Sequence, residues 1–102
     1  MEVHSTVFNQ LNLFYKKIMS KQYVGEPLKA YVSNFLDEID TVILNFNSGT
    51  SNFISKKELD QVYKMFKSLN ANPYIELSQK AEILRAKDRL VDAFNSSKGI
   101  TQ

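Results

Sequence analysis

The sequence predicts an all-α chain, an antiparallel four-helix bundle, from three observations. Apolar residues recur at spacings of three and four in four separate segments, strand-like alternation is nearly absent, and the intervening stretches hold residues that start and stop helices. At 102 residues, with 43% apolar and 24% charged residues, the chain fits one domain with a single core. No internal repeat, low-complexity tract or interdomain linker is visible in the letters.

The first segment places Val7, Phe8, Leu11, Tyr15, Ile18 and Met19 on one helical face, with Ser5 as N-cap, and fades before Gly25. The second is the longest stripe: Leu28, Tyr31, Val32, Phe35, Ile39, Val42, Ile43 and Phe46. Pro27 suits its first helical position, where a missing N–H costs nothing, and Gly49 lies just past its end. The third turns Leu59, Val62, Tyr63, Phe66 and Leu69 inward and stops at "NANP", because Pro73 disfavours helix at the residue before it. The fourth takes its apolar side from Leu77, Ile83, Leu84, Leu90, Val91 and Phe94. Helices are expected at about residues 5–21, 27–47, 56–70 and 77–95, with "SSKGITQ", residues 96–102, as a frayed tail. Amphipathic helices joined by short connections bury their stripes best by packing together.

Composition narrows the chemistry. Without cysteine there is no disulfide framework, thiolate zinc site or thiol nucleophile, and a single histidine leaves no His-rich metal site. No cofactor is expected. The start, "MEVHSTVFNQ", carries Glu2 and no apolar signal region, and the longest purely apolar run is three residues, Val42 to Leu44. A membrane span needs about 20 such residues, so a cytoplasmic location is expected. The net charge of +2 is uneven: residues 1–50 hold 4 Lys and 5 acids, residues 51–102 hold 9 basic residues and 6 acids. That bias permits an anionic partner surface, but it is too sparse for the basic stripe that nucleic acid demands.

Residues 45–63, "NFNSGTSNFISKKELDQVY", raise the one metal question. With Glu58 at the twelfth position of a calcium-binding helix-loop-helix, Ile54 falls at the eighth, where such loops are apolar. The ligand positions then hold Asn47, Gly49 and Ser51, and Asn52 stands where glycine is usual, so the loop lacks the negative charge calcium needs. A helix start accounts for the same letters: Ser55 and Glu58 form a capping box, and Ile54 and Leu59 a hydrophobic staple.

Other candidates are weighed in the same way. Asp37, Glu38 and Asp40 fan around the second helix at 100° per residue and suit a solvated face better than a convergent acid pair. His4 falls on the apolar side of the first helix near its start, without an identifiable catalytic partner. Leu13 and Leu44 point away from their stripes and would form a contact patch only if adjacent in space.

On the fourth helix, Lys80 and Lys87 fall beside Ile83, Val91 and Phe94. Their stems can cover the bundle edge while the ammonium groups reach water. Alternatively they form a basic strip along an apolar groove, extended by Arg85, Arg89 and Lys98. Glu82, Asp88 and Asp92 stand three residues from Arg85 or Arg89, which favours self-pairing along the helix.

A chorismate-mutase-like enzyme would need several convergent cations, yet Arg85 and Arg89 are the only arginines and share one helix. No catalytic residue is therefore assigned, and the chain is not expected to be an enzyme. A helix-turn-helix would need a shorter turn and a basic recognition face, so no nucleic acid is expected as a partner.

"LKAYVSNFLDEI", residues 28–39, followed by "ISKKELDQVYKMFKSLN", residues 54–70, resembles the middle helices of immunity proteins against pediocin-like bacteriocins, the enterocin A immunity group. The resemblance spans about residues 5–96 and extends to length, mild basicity and the order of helices. It implies a cytosolic four-helix bundle that protects the producer cell by recognising, from the cytoplasmic side, a bacteriocin-occupied mannose phosphotransferase permease, with peripheral contact at the inner membrane face. Specificity in that family is attributed to the C-terminal half. The resemblance therefore implicates Lys80, Arg85, Lys87, Arg89 and Lys98 as partner-binding residues. The alternative from the architecture is a small adaptor bundle with a soluble protein partner.

Overall fold

A computed structural model describes residues 5–49 and 53–100, the last three of these as backbone only. It is an all-α four-helix bundle: α1 (Thr6–Met19), α2 (Glu26–Asn47), α3 (Lys56–Asn70) and α4 (Leu77–Ile100). No helix of the described residues is long and apolar enough to cross a membrane.

The helix starts follow the capping chemistry in the sequence. Ser5 accepts from the Phe8 N–H at 3.2 Å, and Ser55 accepts from the Glu58 N–H at 3.1 Å while Glu58 accepts from the Ser55 N–H at 3.0 Å. This is a complete capping box. Pro27 sits one position further in than expected, because α2 begins at Glu26 after Gly25, whose φ of 67° and ψ of −136° suit only glycine. At the other end, Gly49 (φ 86°) follows the α2 C-cap Ser48, and its N–H bonds to the Phe46 carbonyl at 3.2 Å. Residues 96–100, expected to fray, continue α4 instead. Ser97 is buried there, so α4 packs on the bundle at least as far as this residue, whose hydroxyl donates to the Phe94 carbonyl at 2.8 Å.

The chain folds as two helical hairpins, α1–α2 and α3–α4, with helix direction alternating along the sequence. The hairpins lie side by side so that α1 neighbours α3 and α2 neighbours α4, each pair running parallel. The bonds between the hairpins fix this register, because they join residues about 50 apart. Ser5 meets Glu58, Met19 meets Asn72, Lys29 meets Gln79, and Asp40 meets Arg89. The aromatic rings of Phe46 and Phe94 touch edge-on with centroids 5.5 Å apart. Between α2 and α3, Phe35 and Phe66 pack edge-to-face at 5.7 Å, both buried.

Burial reveals a repeat that the letters hide. Phe8, Leu11 and Ile18 are matched 51 positions later by Leu59, Val62 and Leu69, since 59 − 8, 62 − 11 and 69 − 18 all equal 51. The same offset carries Leu28, Val32, Phe35, Ile39, Val42 and Phe46 of α2 onto Gln79, Ile83, Ala86, Leu90, Ala93 and Ser97 of α4, all buried. The second set is smaller and partly polar, so its periodicity is faint on any hydrophobic count. Leu77 and Leu84, expected in the α4 core, are 83% and 48% exposed: the inward places are taken by alanine, serine and Gln79. Gln79 is accommodated because its amide donates to the Lys29 carbonyl at 3.1 Å.

Candidate partner-binding surface

Glu58, the carboxylate at the twelfth position of the candidate calcium loop, is engaged by the helix starts. Its carboxylate is buried and accepts from the Ser5 N–H at 2.9 Å, the Ser5 hydroxyl at 3.1 Å and the Ser55 N–H at 3.0 Å. Those oxygens are committed to the starts of α1 and α3, where a carboxylate also gains from the helix dipoles. Among the described residues no group of three His, Asp or Glu side chains comes together. His4, Ser51 and Asn52 lie outside the described residues.

Of the five cations implicated on α4, the four whose side chains are described do not form one patch. Arg85 and Arg89 face α2, where Leu36, Asp40, Glu82, Arg85, Ala86 and Arg89 line a cleft of about 310 Å³. A second cleft of about 240 Å³, lined in part by Ile43, Asn47, Arg89 and Ala93, continues the groove. Ala86 and Ala93 are the cause: small side chains leave the α2–α4 seam shallow. Arg89 bridges the groove to Asp40 at 3.2 Å, pairing across helices rather than along α4. With side chains 61% and 51% exposed, that bridge contributes about 1 kcal/mol or less. Asp37 and Glu38 do not join it, and the acidic trio fans apart as expected.

Lys80 and Lys87 lie on the opposite flank of α4. Both are half-buried, and Lys87 lines a cleft of about 130 Å³ between α3 and α4 with Phe66, Lys67, Asn70, Ile83 and Leu84. Lys80, seven residues earlier, stands on the same helical edge. Lys98 falls among the residues given as backbone only, so its side chain lies outside the description.

Three further residues belong to this flank that sequence reasoning placed elsewhere or passed over: Leu77, Leu84 and Lys67. The signal for the two leucines was present, since Leu77, Leu84 and Val91 repeat every seven residues, a row separate from the buried one, whereas Lys67 joins them only through the α3–α4 packing. Leu13 and Leu44, exposed at 48% and 67%, do not pair. The Lys17 ammonium lies 5.3 Å from the Tyr31 ring centre, so the antiparallel α1–α2 register sets Leu13 near residue 35. Leu44 is nine residues further on, roughly 13 Å along the helix.

The arrangement therefore presents two grooves flanking one helix. No family model, no curated protein and no solved structure matches the chain.

Proposed function

We propose that the chain acts by binding, as an immunity protein of the kind directed against pediocin-like bacteriocins. In this reading the bundle works in the cytoplasm of the producer cell. It engages the inner side of a bacteriocin-occupied mannose phosphotransferase permease, with peripheral contact at the membrane, so that a lethal pore does not form or stay open. The support is the resemblance of residues 28–39 and 54–70 together with a four-helix bundle whose last helix displays Lys80, Arg85, Lys87 and Arg89 at its surface. The test is expression in a bacteriocin-sensitive strain challenged with a panel of pediocin-like peptides: survival against at least one peptide is expected. Unchanged killing by all of them, with the protein present in the cell, rejects the immunity reading.

The α4 assignment has its own test. Lys87→Glu with Arg89→Glu changes one cation on each flank and should abolish protection with the helical spectrum and melting temperature nearly unchanged. Protection that survives the double change removes α4 from the contact. The alternative, an adaptor bundle for a soluble protein, is favoured by one observation, the exposure of Leu84 at the α3–α4 cleft and of Leu77 seven residues earlier on α4.

A further inference from the structure

We infer that the α3-facing edge of α4 is a docking seam for an acidic amphipathic helix. This deepens the recognition role proposed for α4, rests on it, and names the chemistry of the partner.

Two rows run along α4. The buried row steps by four and three through Gln79, Ile83, Ala86, Leu90, Ala93 and Ser97. A second row steps by three and four through Leu77, Lys80, Leu84, Lys87, Val91 and Phe94. A mean step of 3.5 residues keeps a row straight along a neighbouring helix, which is how one helix seats on another. The first row has its neighbours within the chain. The second is covered only in part: Lys80, Lys87, Val91 and Phe94 are half-buried, whereas Leu77 and Leu84 are 83% and 48% exposed.

A single exposed leucine is unremarkable. Here two repeat at seven residues, each followed after three by a lysine, and the second borders a cleft with Phe66 and Ile83 in its lining. Among the described residues Lys67, Lys80 and Lys87 make no ion pair. Asp88, beside Leu84 on the outward side, is the acid that this row meets on its own helix. A cleft flanked by lysines and edged by leucine asks for an apolar side chain to enter it and carboxylates to flank that side chain. An amphipathic helix with leucines on one stripe and glutamates beside it supplies both. A flat anionic membrane would satisfy the lysines but leave the concave α3–α4 cleft unfilled.

The test uses the purified full chain and three fluorescent synthetic peptides of equal length. One is a Leu/Glu amphipathic helix, one the same composition scrambled, and one the Leu/Lys counterpart. The Leu/Glu helix is expected to bind by anisotropy and to weaken as salt rises, with little binding of the other two. Lys80→Glu with Lys87→Glu, and separately Leu84→Asp, should each weaken it at least tenfold, while Lys16→Glu on the exposed side of α1 should not. Circular dichroism of each variant establishes the fold, and the milder Lys87→Gln serves if a charge reversal unfolds the chain. The inference is overturned if no peptide binds, if the Leu/Lys peptide binds as well, or if the seam variants bind like the wild type. Sedimentation with phosphatidylglycerol vesicles in the absence of peptide binding also overturns it, in favour of a lipid surface. Because purified components are used, peptide binding without protection in cells rejects only the immunity reading, and protection without peptide binding rejects only this seam.

Discussion

Where α2 sends Leu28, Phe35, Val42 and Phe46 into the core, α4 sends Gln79, Ala86, Ala93 and Ser97 from positions 51 residues later. The two helices hold matching places in their hairpins and run parallel, yet one fills space and the other yields it. The difference has a consequence for function. A helix that buries bulk on its inner side commits its large side chains to stability, and α2 keeps only Leu44 as a large exposed hydrophobic residue. α4 contributes smaller side chains inside, so its leucines at 77 and 84 are free to face outward.

The connectors differ in the same spirit. Both are six residues long, 20–25 and 71–76. The first turns on backbone conformation, with Lys21 at φ 66° and Gly25 at φ 67°. The second turns on a side chain: buried Asn72 accepts from the Tyr74 N–H at 2.9 Å and reaches Met19 of α1 through its amide.

The largest test of the α2–α4 contrast is Phe35→Ala, which should cost about 3–5 kcal/mol, read as a fall in the urea midpoint. The opposite change in α4, Ala86→Leu, should cost about 1–3 kcal/mol by overpacking. If the two positions draw on one shared space, the double variant loses less than the sum of the singles; strict additivity would break the proposed complementarity.

Next in size is Glu58→Ala. It removes the shared acceptor that ties the start of α1 to the start of α3, and each charge-assisted hydrogen bond of this kind contributes about 1.5–3 kcal/mol. A loss of about 2 kcal/mol or more is expected, against about 1 kcal/mol for Ser55→Ala, which leaves the bonds to Ser5 in place. Equal losses would mean that the carboxylate serves α3 alone.

The connector contrast predicts a gain. Lys21→Gly relieves a left-handed conformation that costs a side-chain-bearing residue roughly 1 kcal/mol, so the melting temperature should rise slightly. A fall would show that the Lys21 stem stabilises more than its backbone costs.

The smallest effect lies in α3. Burial, and then the nearby Asp60 charge, raise the Tyr63 phenol above its ordinary value of 10.0. The fold thus favours the neutral phenol, and its contribution is fully present below pH 10. As pH rises through 10 towards the folded-state value, the unfolded chain ionises first and stability falls. Tyr63→Phe should lose less stability than the wild type between pH 9 and about 11, with no difference in pH dependence near 7.

Much of this was legible beforehand. The α2 stripe is read correctly because each of its inward residues is large and apolar, so periodicity and burial coincide. Ser5, Ser55, Glu58 and Gly49 announce their caps because capping depends on neighbours within four residues. In α4 the same method misplaces Leu77 and Leu84, since it equates size with burial, and overlooks Ala86, Ala93 and Ser97, which carry little hydrophobic weight. The α4 cations were grouped because they share a helix, whereas the structure sorts them by which neighbour each flank meets.

The sequence by itself determined the class of fold, the number and limits of its helices to within a few residues, and the chemistry that starts and stops them. These depend on local backbone preference and on periodicity along one strand of text. Only the tertiary structure decided that like helices of the two hairpins lie parallel, that Glu58 clamps both hairpin starts, and that α4 turns its small residues inward. Each of those rests on contacts between residues about 50 apart, whose partners no local pattern names.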